Sequence, residues 1–87
     1  MDKIHIPSHI STTFFEESAI LLDSQKNIYY ALNDSAANFW KLLIEAKSVK
    51  EAITQITKLY DCPPDTLRQD MEKLAIDLTE LGFLESL

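Results

Sequence analysis

The chain has 87 residues, of which 46% are hydrophobic, and carries a formal charge of −6. That length and composition fit one small folded domain rather than a disordered chain, and the acidic balance argues against a phosphate-backbone binder while weakly favouring a partner with basic character. A lone cysteine excludes an internal disulfide, no basic run leads into an apolar stretch as a secretory signal would, and no apolar run approaches a membrane span, so a soluble cytoplasmic protein is expected.

Residues 1–8 read as an N-terminal tether, with Pro7 interrupting any regular ladder. Residues 9–15 hold Ile10, Thr12, Thr13, Phe14 and Phe15, a β-branched and aromatic run that predicts a first strand. Glu16-Glu17-Ser18 turns the chain into a second strand over residues 19–22. Asp23-Ser24-Gln25-Lys26 is a turn without glycine, and Asn27 is the residue best suited to positive φ there. Residues 27–32 predict a third strand. Its alternation puts Ile28, Tyr30 and Leu32 on one face, expected to point at the helices.

Asn33 or Asp34 caps a first helix whose stripe is Ala36, Phe39, Trp40 and Leu43, ending near Ala46. Ser48-Val49-Lys50-Glu51 has the form of a capping box, opening a second helix that runs to about Tyr60 with Val49, Ile53, Ile56 and Tyr60 inward. Cys62-Pro63-Pro64 stops that helix, and Pro64 suits the first position of a third. The third helix carries Leu67, Met71, Leu74, Leu78 and Leu81 at gaps of three and four. Gly82, the chain's single glycine, suits a left-handed cap, after which Phe83 and Leu84 pack back or form a short wing. Strands followed by helices indicate an α+β fold: a three-stranded antiparallel sheet followed by three helices, winged helix-turn-helix-like, in one domain over residues 9–87.

Few residues point to catalysis. His5 and His9 are four apart, but Pro7 between them prevents a helix from aligning them as metal ligands, so they read as solvated tail residues. Cys62 has no histidine near it in sequence and an acidic neighbour in Asp61, so it reads as incidental. A single glycine leaves no phosphate-cradling loop, and no cofactor is expected. Asp61, Asp65, Asp70, Glu72, Asp77 and Glu80 crowd the last third and read mostly as a solvated face. Asp70 and Asp77 lie two turns apart beside the apolar stripe, a place from which they can line a groove.

A winged-helix DNA binder would insert the third helix into the major groove. That helix carries two bases, Arg68 and Lys73, against five acids, Asp65, Asp70, Glu72, Asp77 and Glu80, a balance of −3 that phosphates would repel. Tyr29, Tyr30, Phe39 and Trp40 cluster at the strand–helix junction. Phe39 and Trp40 read as core, whereas Tyr30 on an edge strand can wall a pocket.

Several motifs in order resemble the PqqD-like family, the recognition elements for ribosomally made, modified peptides. They are ILLDSQKNIYYALN, then Ala36, Ala37 and Trp40, then Ser48-Val49-Lys50-Glu51-Ala52-Ile53 and Leu59-Tyr60-Asp61. Leu67, Asp70, Met71, Leu74 and Leu78, with the ending Leu81-Gly82-Phe83-Leu84, complete a match to roughly residues 9–87. The family usually has glycine in the strand turn and before the helix-one alanine, where this chain has Ser24-Gln25-Lys26 and Ser35-Ala36.

The resemblance implies a non-catalytic module that binds the leader segment of a precursor peptide by strand addition. It implies backbone pairing along Asn27, Ile28, Tyr29, Tyr30 and Ala31, with Leu22, Ile28 and Tyr30 as an apolar pocket on the groove side. Asp70, Lys73, Leu74 and Asp77 form the opposite wall. The implied partners are the leader peptide and a processing enzyme, with a lasso-peptide leader peptidase favoured over the radical SAM enzyme of pyrroloquinoline quinone synthesis. Neither nucleic acid nor membrane is expected as a partner. The protein is expected to be a monomer or a weak homodimer. A winged-helix regulator is the alternative of another class.

Overall fold

In the computed structural model, residues 2–60 and 63–87 are described; Asp61 and Cys62, and the readings placed on them, lie outside these residues. The element order is β1 (Ile4–His5), β2 (Ile10–Phe14), β3 (Ala19–Asp23), β4 (Ile28–Leu32), α1 (Asp34–Ala46), α2 (Val49–Leu59), α3 (Pro64–Leu81) and β5 (Glu85–Ser86). β2, β3 and β4 form an antiparallel sheet in that order, and β1 pairs with β5 in a separate two-stranded ribbon. The expected α+β architecture of three antiparallel strands followed by three helices is present.

One face of the sheet meets the helices. Ala19 and Leu21 on β3 and Leu32 on β4 are buried against Phe39, Trp40 and Leu43 of α1. Each large side chain so buried contributes on the order of 1.5–3 kcal/mol. Trp40 is fully buried and donates its indole N–H to Thr12 Oγ1 at 2.8 Å, so its one polar group is satisfied where α1 crosses β2. Asn33 caps α1, its side chain accepting from the Ala36 amide. Asn27 takes positive φ, 57°, as expected for a glycine-free turn.

The register explains which backbone groups point where. The Phe15 amide donates to Ser18 O and the Ser24 amide to His9 O, so Ser18 and Ser24 direct their backbone groups at the β2 side. Orientation alternates along an antiparallel strand. Ala19, Leu21 and Asp23 therefore turn their backbone groups toward β4. Their partners there are Leu32, Tyr30 and Ile28. Tyr29 and Ala31 are left with amides and carbonyls directed away from β3.

The N-terminal segment is not a tether. Ile4 is 1% exposed and Pro7 is buried. Ile4 donates its amide to Lys47 O, and β1 pairs with β5 near the C-terminus. Asp2 rebuilds the start of α2. Its carboxylate accepts from Ser48 Oγ at 2.6 Å and from the Lys50 amide at 3.1 Å, while its carbonyl accepts from the Val49 amide. Ser48 caps the Glu51 amide as expected, but the Glu51 carboxylate accepts from Gln55 instead of turning back. The third helix also departs from the expected stripe. Ala75 is fully buried, Leu74 is half-buried, and Leu81 is 40% exposed. The ideal four-and-three spacing rotates Leu81 off the core by the last turn, where Phe83 and Leu84 fold under in its place.

The hydrogen bonds from Ser48 and the Lys50 backbone hold the Asp2 carboxyl below its ordinary value of 3.8. A depressed folded value contributes stability that is present above the ordinary value and is lost as pH falls through the folded one. The urea midpoint of Asp2→Ala should therefore lie below that of the parent at neutral pH, and the gap should close in acid as Asp2 protonates.

Candidate functional site

β4 is the outer strand of its sheet, and no described strand pairs with its far edge. A sheet edge of this kind presents unspent donors and acceptors to any extended chain beside it. The outward groups here belong to Tyr29 and Ala31. Their side chains project to the outer face, Tyr29 being 69% exposed.

α3 supplies the facing wall. Leu67, Met71, Ala75 and Leu78 pack into the core. Arg68, Glu72 and Ile76 stand on the flank that meets α2, where they border a cleft with Val49 and Ile53. At 100° per residue, Asp70, Leu74, Asp77 and Leu81 occupy the opposite flank, away from α2. That flank is joined to the β4 side at its lower end. Phe83 packs edge-on against Tyr30 with ring centroids 5.9 Å apart, and Lys26 Nζ reaches Leu81 O at 3.4 Å. The groove expected from the resemblance would run between β4 and this flank of α3, above the Tyr30–Phe83 contact and with the hairpin tip at one end.

The residues expected at the site divide into three groups. Ile28 and Tyr30 are half-buried, pack on the core and face the groove side. Asp70, Leu74 and Asp77 lie on the groove flank of α3; Lys73 is exposed on the helix's outer side, beyond the rim. Leu22 does not belong with Ile28 and Tyr30. It is the cross-strand partner of Tyr29, and directly opposed residues share a face, so Leu22 lies on the outer face of the sheet. The physical reason is register: the four-residue loop pairs Asp23, not Leu22, with Ile28. Asn27 lies in the turn itself, outside the paired strand.

Three residues at this site were not expected from sequence. Lys26 joins the hairpin tip to the end of α3, Gly82 leaves room for it, and Phe83 supports Tyr30. A Cβ on Gly82 would sit 2.9 Å from the Lys26 ammonium. Gly82 also holds φ at 89°, a conformation glycine adopts without the side-chain penalty. The only advance signal was the isolated glycine at the helix end. Asp23 anchors the tip from below. It is fully buried, and Oδ1 accepts from the Gln25 and Lys26 amides at 3.0 Å each, fixing the turn without glycine. Among the described residues, no group of three or more histidine, cysteine or acidic side chains is placed to hold a metal ion. Among them, too, no helix is long and apolar enough to cross a membrane.

The backbone directions give a clean contrast. Ile28→Pro removes an amide that bonds β3, leaves its acceptor unpaired and should destabilise the hairpin by roughly 1–3 kcal/mol. Ala31→Pro removes an amide directed outward and should keep a native circular dichroism spectrum with a much smaller loss in urea midpoint.

The comparisons with known proteins agree on this architecture. No curated protein matches the chain. Two solved structures share its fold. TbiB1 in complex with the TbiA(beta) leader peptide superposes with a TM-score of 0.84 at 23% identity, covering 94% of this chain and 95% of that one. A lasso peptide synthetase B1 complexed with the leader peptide gives 0.81 at 24% identity, covering 97% and 99%. The model of the family described as coenzyme PQQ synthesis protein D (PqqD) matches residues 18–84, well over half of the sequence. The chain belongs to the PqqD family.

Proposed function

We propose that this protein binds the leader segment of a ribosomally synthesised precursor peptide as a fourth strand on β4, in the groove against α3. The observation that carries the reading is the open β4 edge, with the Tyr29 and Ala31 backbone groups directed outward beside a helix flank of alternating apolar and acidic residues. Main-chain bonds to that edge supply affinity for any extended peptide, and the side-chain pockets supply selection. Ile28, Tyr30, Leu74 and Leu81 receive apolar leader side chains. Asp70 and Asp77 meet basic or amide groups. The fold is shared with two proteins seen with leader peptides, and this supports the same ligand class here.

The module is non-catalytic in this reading. It holds the leader so that a processing enzyme can act on the rest of the precursor. A lasso-peptide leader peptidase is the favoured recipient, since both similar structures are leader-bound and one is a lasso peptide synthetase component. Delivery to a radical SAM enzyme is the second reading, favoured by the family's link to coenzyme PQQ synthesis. Processing of a freshly translated precursor places the protein in the cytoplasm. DNA binding is disfavoured by the −3 balance of α3.

Fluorescence anisotropy of a labelled precursor leader peptide tests the proposal. Ala31→Pro should weaken binding about tenfold by removing a main-chain donor and obstructing the edge. Asp77→Lys should weaken it several-fold where the leader carries a basic residue, and the loss should shrink as salt rises. Unchanged affinity in both variants would move the site away from β4.

A further inference from the structure

The corner where β1, β2 and the end of α1 meet holds a cavity of about 350 Å³ that leader binding along β4 does not use. Its wall is aliphatic. Ile4 and Ile6 come from the N-terminal segment, Ile10 from β2, and Leu43 and Ile44 from α1. Ile4 and Leu43 are buried, whereas Ile44 is 40% exposed and so stands at the mouth. A volume of this order, an apolar wall and a few polar groups are the attributes of a small-molecule pocket.

The polar groups of the lining are Thr12, His5 and Lys47, and no acid is among them. Thr12 Oγ1 accepts the Trp40 indole N–H at 2.8 Å, and among the described residues its own hydroxyl proton has no acceptor. The Lys47 backbone is pinned, its amide donating to Leu43 O at 2.9 Å and its carbonyl accepting from the Ile4 amide at 3.1 Å. Its ammonium has no ion pair among the described residues. The carbonyl end of α1 carries roughly half a negative charge, which the whole positive charge of Lys47 outweighs.

We propose that this cavity binds a small aliphatic carboxylate of the medium-chain fatty acid class. The alkyl chain lies among the isoleucines, and the carboxylate meets Lys47, with His5 and the Thr12 hydroxyl as further donors. Two features select this class. The wall offers no phenyl or indole ring to stack on, so a flexible alkyl chain fits it better than an aromatic one. The lining pairs a fixed cation with no acid, so an anionic head is favoured over a cationic one even though the chain's net charge is −6. The cavity lies beside β2, at the opposite side of the sheet from β4, and the proposal does not depend on the leader-binding reading.

Titration of sodium decanoate, below its micelle concentration, into the full chain tests this by calorimetry and by Trp40. That residue is the single tryptophan, so its indole N–H resonance reports on Thr12 and the cavity. The expected dissociation constant is on the order of 0.1 mM. Octanoate, two methylenes shorter, should bind roughly tenfold more weakly. Decyltrimethylammonium, with the same chain and the opposite charge, should bind about fivefold more weakly than decanoate. Lys47 holds φ at 55°, so Lys47→Gly relieves the backbone while deleting the ammonium. Its thermal midpoint should not fall, yet decanoate should bind it about fivefold more weakly. Ile44→Glu, at an exposed position, should abolish measurable binding while the chain still melts cooperatively. The proposal is overturned if millimolar decanoate gives neither heat nor a moved Trp40 resonance. Heat with the Trp40 resonance unmoved also overturns it, as does equal binding of the anionic and cationic amphiphiles or indifference to Lys47→Gly.

Discussion

The whole arrangement depends on β3 being bonded on both sides. Its even-numbered neighbours spend their backbone groups on β2 and its odd-numbered residues spend theirs on β4. Once that parity is set, the outward groups of both outer strands follow, and so does the face on which every side chain lies. A shift of one residue in either hairpin would exchange the faces and send Leu21 and Leu32 to solvent. Burial of Ala19, Leu21 and Leu32 under α1 opposes that shift. The hydrophobic core therefore specifies the hydrogen-bonding pattern of an edge that is itself solvent-facing.

The β3–β4 hairpin and the end of α3 are joined by two contacts. Lys26 on the hairpin tip meets the Leu81 carbonyl, and Tyr30 on β4 meets Phe83 just past α3. Phe83 is fully buried and draws the chain after Gly82 beneath the sheet. Asp23 fixes the tip from inside by accepting two amides on one oxygen, and His9 Nε2 stands 3.8 Å from that same oxygen. Strand edge and helix end are thus tied to each other at this point and to the core beneath. In the proposed binding mode a peptide would meet a strand edge that is already formed, which lowers the ordering cost of binding.

Much of this was legible in the sequence because local chemistry decided it. β-Branched and aromatic content located β2, flanking turns bounded β3, alternation located β4, Asn27 marked the left-handed turn residue, Asn33 and Ser48 marked caps, and Gly82 marked the helix end. The features missed were non-local. The two-residue strands β1 and β5 are too short to leave a periodic signal, and they exist because Ile4 and Leu84 have core positions to fill. Asp2 acts as a cap for a helix that begins 47 residues later at Val49, beyond the reach of any local motif. Leu22 was placed on the groove face because the apolar character of β3 is nearly continuous. Only the pairing of Asp23 with Ile28 reveals which half of that run faces the helices. The site was legible as a strand and a helix, but not as the contacts that join them.

Lys47 carries one further consequence. It ends α1 with φ at 55°, in the left-handed region that glycine fills at no steric cost. A side chain there is disfavoured by roughly 1 kcal/mol. In exchange, a permanent cation sits where the carbonyl ends of α1 concentrate negative potential. The same ammonium overlooks a cleft on a molecule whose net charge is −6. A strained backbone at this corner thus holds a fixed positive charge at the end of α1, beside β1.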